Sequence, residues 1–316
     1  MNSYAPVAIY TYSRLDHLRR TIESLKNNIY AEKTALYIVS DGPAIPEHKG
    51  QVQALRDYVD EIKGFREVIK IYRPKNIGAL ESITQAESRI INDHGSIISL
   101  EDDNICSENF LAFMNEGLNF FEYSDAVFTI CGYVPGCISC DSADSSDFWF
   151  YPWNLSWGYA THKKKYNLIH PLVNKYPEHK KSGVLSRQNS AGGLYVTDSL
   201  LRDYKKQKRL TDAILCTEMF ARGMVSVLPV ISKVLNIGQD GSGQSTSTAT
   251  DKYNTTIDSS LKTKFDFSAE SIHAQKYNQQ MICFQNGSFI TRTTRQLGIY
   301  HAAEQIVSKL KSARIL

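Results

Sequence analysis

The sequence predicts an α/β fold built on a largely parallel sheet with helices on its faces, and three features predict it. Strand-like apolar runs alternate with helical spacing through the first 120 residues, which is the pattern of βαβ units. Each run ends in polar, turn-forming residues at its carboxyl end, where α/β sheets bind ligands. The third run, Ser96-Ile97-Ile98-Ser99-Leu100, ends in Glu101-Asp102-Asp103, three consecutive acids at a sheet edge.

Val7 to Tyr12 reads as the first strand. Ser13-Arg14 follows, and Leu15, Leu18, Ile22 and Leu25 then recur at helical spacing. Leu36 to Val39 is a second strand closed by Ser40-Asp41-Gly42-Pro43, a strong turn sequence. A helix around Val52 to Ile62, a strand at Val68 to Tyr72 and a helix near Leu80 to Ile91 lead into the acidic strand. Arg73-Pro74-Lys75-Asn76-Ile77-Gly78 joins strand to helix near the same edge and either lines a site or simply turns.

Three adjacent negative charges repel one another, and a hard divalent ion such as Mn²⁺ or Mg²⁺ among oxygen ligands relieves that repulsion. The same acids also suit the first turn of the helix expected from about Ser107. Arg14 at a helix start suits a phosphate, by its fork geometry and the neighbouring N–H groups, or is a solvated surface arginine. Asp41 can accept hydrogen bonds from a base or ribose, or serve an ordinary turn.

A chain of 316 residues with 42% hydrophobic content can bury a sizeable core. Its 36 basic and 33 acidic side chains give a formal net charge of +3, too weak to imply nucleic acid. No cationic, apolar secretory leader opens the sequence, and no segment reaches the roughly 18 apolar residues of a membrane span. A cytoplasmic protein is the expectation. Six cysteines form no disulfide framework, and Cys137-x-x-Cys140 lacks a second pair at zinc spacing. The three Asn-x-Ser/Thr triplets matter only in a secreted chain.

The order strand-Thr11-Tyr12-Ser13-Arg14, then Val39-Ser40-Asp41, then Leu100-Glu101-Asp102-Asp103 and a helix with Phe110 resembles the glycosyltransferase-A fold. Ile98 to Phe113 resembles the Glu-Asp-Asp region of the N-acetylglucosaminyltransferase I type and of related bacterial sugar transferases. The resemblance, over roughly residues 5 to 245, implies a Rossmann-like, mostly parallel sheet; the helical C-terminal extension is read from the amphipathic pattern at the end of the chain. It places Asp103 on Mn²⁺ bridging a nucleoside diphosphate, Asp102 and Glu101 on ribose and donor sugar, Arg14 on the nucleotide and Asp41 on uracil. Thr11, Lys75, Asn76 and Gly78 complete the expected donor site.

Trp153-Asn154-Leu155-Ser156-Trp157-Gly158-Tyr159-Ala160-Thr161 resembles the Ser-Trp-Gly-Trp-Ala-Thr stretch of the bacterial enzymes, with Tyr159 replacing the second tryptophan. Trp157, Gly158 and Tyr159 are the expected acceptor contacts, since aromatic faces stack on sugar C–H faces, although large aromatics also fill cores. Asp212 heads a helical run with Ile214, Leu215, Met219 and Phe220. By itself it reads as a helix cap. Its distance to Pro229 matches the family's spacing from catalytic aspartate to proline, which ranks Asp212 above Glu218 as general base. Thr211, Ala213 and Ile214 stand where the family often has tryptophan.

Asn236-Ile237-Gly238-Gln239-Asp240-Gly241-Ser242-Gly243 resembles a loop that orders over bound donor in the bacterial relatives, and otherwise reads as a connector. The tail ends in an amphipathic pattern, Ala303, Ile306, Val307 and Leu310 beside Lys309, Lys311 and Arg314, suited to docking on the domain or to anionic lipid.

The expected organisation is a nucleotide-sugar half (1–120), an acceptor and catalytic half of the same domain (121–245) and a C-terminal extension (246–316). The resemblance implies an inverting transfer from a UDP-sugar to a glycan or lipid-linked glycan hydroxyl, in surface polysaccharide, lipopolysaccharide or glycoprotein synthesis. The competing readings are a nucleotidyltransferase, disfavoured because Thr11 to Arg14 lacks a glycine, and a non-catalytic binding module whose acids only cap helices.

Overall fold

The computed structural model describes residues 4–138, 144–206, 211–242, 250–297 and 300. The first half alternates strand and helix: β1 (Val7–Thr11), α1 (Leu15–Lys26), β2 (Ala35–Ser40), α2 (Lys49–Asp60), β3 (Glu67–Tyr72), α3 (Ala79–His94) and β4 (Ser96–Glu101). A short β5 (Asn104–Cys106) and α4 (Phe110–Phe120) follow. The second half contains β6 (Val127–Cys131), β7 (Phe148–Tyr151), β8 (Tyr159–His162), α5 (Lys163–Ile169), α6 (Tyr176–Lys181), α7 (Val184–Ser190), α8 (Leu194–Lys205), α9 (Thr211–Ala221), β9 (Val225–Pro229) and β10 (Val234–Asn236). The C-terminal extension is helical over α10 (Ala274–Asn286) and α11 (Phe289–Gln296).

Eight strands form one mixed sheet in the order β3-β2-β1-β4-β8-β6-β9-β7. The β3-β2-β1-β4 block is parallel throughout, and β8 pairs antiparallel with both β4 and β6, so the two halves share one sheet. The fold class expected from the sequence is the one observed. β2 is buried at every position and β4 at all four central ones, as expected of strands covered on both faces. α1 presents Leu18, Thr21, Ile22 and Leu25 to the sheet, one face at helical spacing.

The chain leaves β1 for β2 on one side, while β4 lies on the other. The loops after β1 and β4 therefore flank a crevice at a topological switch point, the position where open α/β sheets bind ligands. β10 pairs antiparallel with β5 just beyond β4, bringing Asn236 opposite Asn104 and the following loop onto the acidic triplet. No helix among the described residues is long and apolar enough to cross a membrane. Cys140, Gly243 to Ser245 and the amphipathic pattern from Ala303 to Arg314 lie outside the described residues.

Candidate active site

The loop after β1 meets the end of β4 through a charged cluster. Arg14 donates through Nη2 to Asp102 Oδ1 and, at 2.7 Å, to Asp103 Oδ2. Thr11 Oγ1 donates to Asp102 Oδ2 at 2.9 Å, and Thr21 Oγ1 holds the Asp102 carbonyl at 2.8 Å. Asp103 Oδ1 accepts from Asn104 Nδ2 at 3.0 Å and Asn236 Nδ2 at 2.8 Å. Both aspartates are buried. Gly238 is required here by contact: a Cβ on it would lie 2.0 Å from Asp103 Oδ2. Burial raises the pKa of Asp102, opposed by the Arg14 charge. Burial works against the Arg14 charge as well, but Asp102 and Asp103 outweigh it and raise its pKa.

Glu101 stands between this cluster and the second half. Burial, and then the charges of Asp103, Asp212 and Asp102, push its pKa up to about 8. Glu101 and Asp212, at the amino-terminal end of α9, line the same cavity. Asp212 is reachable from solvent and accepts from Ser156 Oγ at 2.7 Å. Its pKa is raised by the surrounding protein, lowered by the Ser156 bond and raised again by Asp203. Two cavities meet at Asp212, Ser156 and Asn154. One, of about 380 Å³, is walled by Trp157, Tyr133, Tyr253 and Phe284. The other, of about 90 Å³, includes Glu101 and extends inward to Tyr10 and Glu87.

Trp157 packs edge-on against Tyr133 and Tyr253, at 4.7 and 5.3 Å between ring centroids, as a partly open wall of the larger cavity. Tyr253 and Phe284 come from the C-terminal extension, which thus supplies part of this wall. They, with Ser156, Asn154 and Asp203, are site residues that sequence reading did not single out; the only signal was aromatic residues within an otherwise polar tail.

Several expected contacts play other parts. Gly158 has φ +71° and lies against Val234, Leu100 and Phe110, where a Cβ would clash at 2.8 Å, so glycine is needed for packing. Tyr159 points inward and donates to the buried Glu87 at 2.5 Å, away from the aromatic wall. Asp41 is buried and spent on backbone: Oδ1 accepts from the N–H of Gly42 at 2.8 Å and Ile77 at 3.1 Å, and Oδ2 from Gly78 at 2.9 Å. It thereby fixes the turn entering α3, with Gly78 at φ +86° as its N-cap. Asn76 Nδ2 donates to the Gly42 carbonyl at 2.9 Å, and Lys75 is exposed on the same loop.

Glu218 does not reach either cavity. It is buried on α9 and accepts from His179 Nε2 at 2.9 Å and from Arg222, with Lys175 at 3.7 Å. Burial pushes its pKa up, but the hydrogen bonds from Arg222 and His179 and the charges of Arg222 and Lys175 outweigh it and leave it below the ordinary 4.5. A depressed carboxylate contributes stability above its unfolded pKa and loses it as pH falls. Glu218→Gln is therefore expected to cost about 1–3 kcal/mol at neutral pH in denaturant melts. The gap to wild type should close on acidification below about 4.5, the ordinary carboxylate value.

Among the described residues no group of three or more His, Cys, Asp or Glu forms a metal cage. The carboxylate oxygens of Asp102 and Asp103 are of the kind a hard dication takes as ligands, and here they are paired with Arg14, Thr11, Asn104 and Asn236. No protein-family model and no curated protein sequence matches this chain. Among solved structures it is similar to the mannosyltransferase PcManGT from Pyrobaculum calidifontis in complex with GDP-Man and Mn²⁺. That similarity has a TM-score of 0.36 and 12% identity, over 54% of this chain and 46% of that one. It is also similar to S. aureus TarS, with a TM-score of 0.41 and 10% identity over 74% of this chain and 37% of that one. The chain thus spans less than half the length of either structure.

Proposed function

We propose that the chain is a metal-dependent inverting glycosyltransferase of the glycosyltransferase-A type, moving a sugar from a nucleoside diphosphate donor, first a UDP-sugar, to a hydroxyl of a glycan or lipid-linked glycan. One observation carries this reading: Asp212 and Glu101, the first acid of the triplet, line one cavity, and Asp102 and Asp103 follow Glu101 directly in the chain. A single displacement needs both a base for the acceptor and charge neutralisation for the leaving group, and it needs them on one site.

Arg14 and Asp103 would hold the donor's diphosphate and its metal, and Thr11 keeps the neighbouring Asp102 oriented. Mn²⁺ or Mg²⁺, when bound, would supply Lewis-acid neutralisation of the departing diphosphate. Asp212 takes the proton of the attacking hydroxyl, and its raised pKa improves it as a base near neutral pH. Ser156 fixes the carboxylate by donating to Oδ1, leaving Oδ2 for the acceptor. Trp157 and Tyr253 offer aromatic surface for an acceptor ring in the larger cavity. Asp41 keeps one acceptor position beyond its three backbone bonds, so a nucleobase contact there is at most a single hydrogen bond.

The test is release of free nucleotide from a panel of UDP-, GDP- and CDP-sugars and CMP-sugars with Mn²⁺, with NMR assignment of the anomer formed. Metal-dependent release from one donor class with inversion supports the reading. Absence of turnover with every donor, alongside intact nucleotide binding, supports a binding module instead.

A further inference from the structure

We propose that Arg14 is the resting counterion of Asp102 and Asp103, so that a divalent cation enters this site only together with a nucleoside diphosphate, whose phosphates draw the guanidinium off the carboxylates. The inference rests on the transferase reading for the identity of the diphosphate, and on the chain's own contacts for the rest.

Every carboxylate oxygen of the pair already has a donor. Asp103 Oδ1 accepts from Asn104 and Asn236, Asp103 Oδ2 and Asp102 Oδ1 accept from the same Arg14 nitrogen, and Asp102 Oδ2 accepts from Thr11. The carboxylate side chains are 5% and 6% exposed and that of Arg14 23%, so the pairing is screened only weakly by water. Gly238 closes over this pair: a Cβ on it would lie 2.0 Å from Asp103 Oδ2 and 3.0 Å from Arg14 Nη1.

A free dication at these oxygens would either lie directly against the guanidinium or displace it, and both leave two positive charges adjacent in a partly buried site. A diphosphate removes that obstacle. Its oxygens accept the guanidinium fork, Asp103 Oδ2 is released, and the same phosphates complete the shell of the arriving metal. Metal and nucleotide then strengthen each other's binding by one common factor, as linkage requires.

The experiment is a Mn²⁺ titration of the full chain, followed by the electron paramagnetic resonance signal of free Mn²⁺, with and without UDP. Wild type, Arg14→Met and Arg14→Lys are compared. Wild type is expected to bind Mn²⁺ alone weakly and at least roughly tenfold more tightly with UDP. Arg14→Met is expected to bind Mn²⁺ alone roughly tenfold more tightly than wild type and to lose most of the UDP enhancement. Arg14→Lys keeps the charge without the fork and should fall between them, which guards against a folding defect in the methionine variant. Equal or weaker binding of Mn²⁺ alone by both variants overturns the proposal. Failure of UDP to bind under any condition contradicts the transferase reading instead, while the comparison of Mn²⁺ alone still decides the counterion role.

Discussion

Asp212→Asn is expected to lower kcat for sugar transfer by about 10²–10⁴-fold while leaving nucleotide affinity unchanged. Asparagine keeps the shape and can still accept from Ser156 Oγ, so the loss isolates basicity from packing. The geometry makes Asp212 the carboxylate for this role. It heads α9, is open to the larger cavity and has its charged form disfavoured by the cleft walls. Glu218, lower on the same helix, is hydrogen-bonded to His179 and Arg222 and reaches neither cavity. Steady-state kinetics check this, and an unchanged kcat would remove Asp212 from the chemistry.

Asp103→Asn is expected to weaken metal-supported nucleotide binding by about 100-fold or more, because even residues one step removed from a metal typically cost 10–100-fold. Turnover should fall in parallel, since the leaving diphosphate loses its neutralising ion. The amide preserves the volume beneath Gly238 and an oxygen for Asn236 and Asn104. A variant that melts like wild type but binds nucleotide without regard to metal would meet the expectation. Full retention of metal-dependent binding would place the ion elsewhere.

Much of the first half was legible because its elements are long enough to show their period. The apolar faces of α1 and α2 and the runs of β1, β2 and β4 could be read directly, and the acidic triplet was visible at the end of β4. The second half was not legible in the same way. β7 and β8 are four residues each and α5 to α7 six or seven, too short for a 3.6-residue period to stand out. Roles set by distant partners were also hidden. The Asp41 carboxylate is claimed by amides some 36 residues away, and Tyr159 by a glutamate 72 residues away. Beyond their aromatic character, nothing local marked Tyr253 and Phe284 as cleft residues, because Phe284 is brought there by the packing of α10 on β7 and α8 and Tyr253 by the hydrogen bond its carbonyl accepts from Tyr133.

The most direct test of the central claim is calorimetric titration of UDP, GDP, CDP and CMP into wild type and Asp103→Ala, each with Mn²⁺ and with a chelator. The account predicts selective, Mn²⁺-dependent binding of UDP that disappears both in the variant and on chelation. No nucleotide binding, or binding indifferent to metal and to Asp103, would contradict a donor site at the β1–β4 crevice.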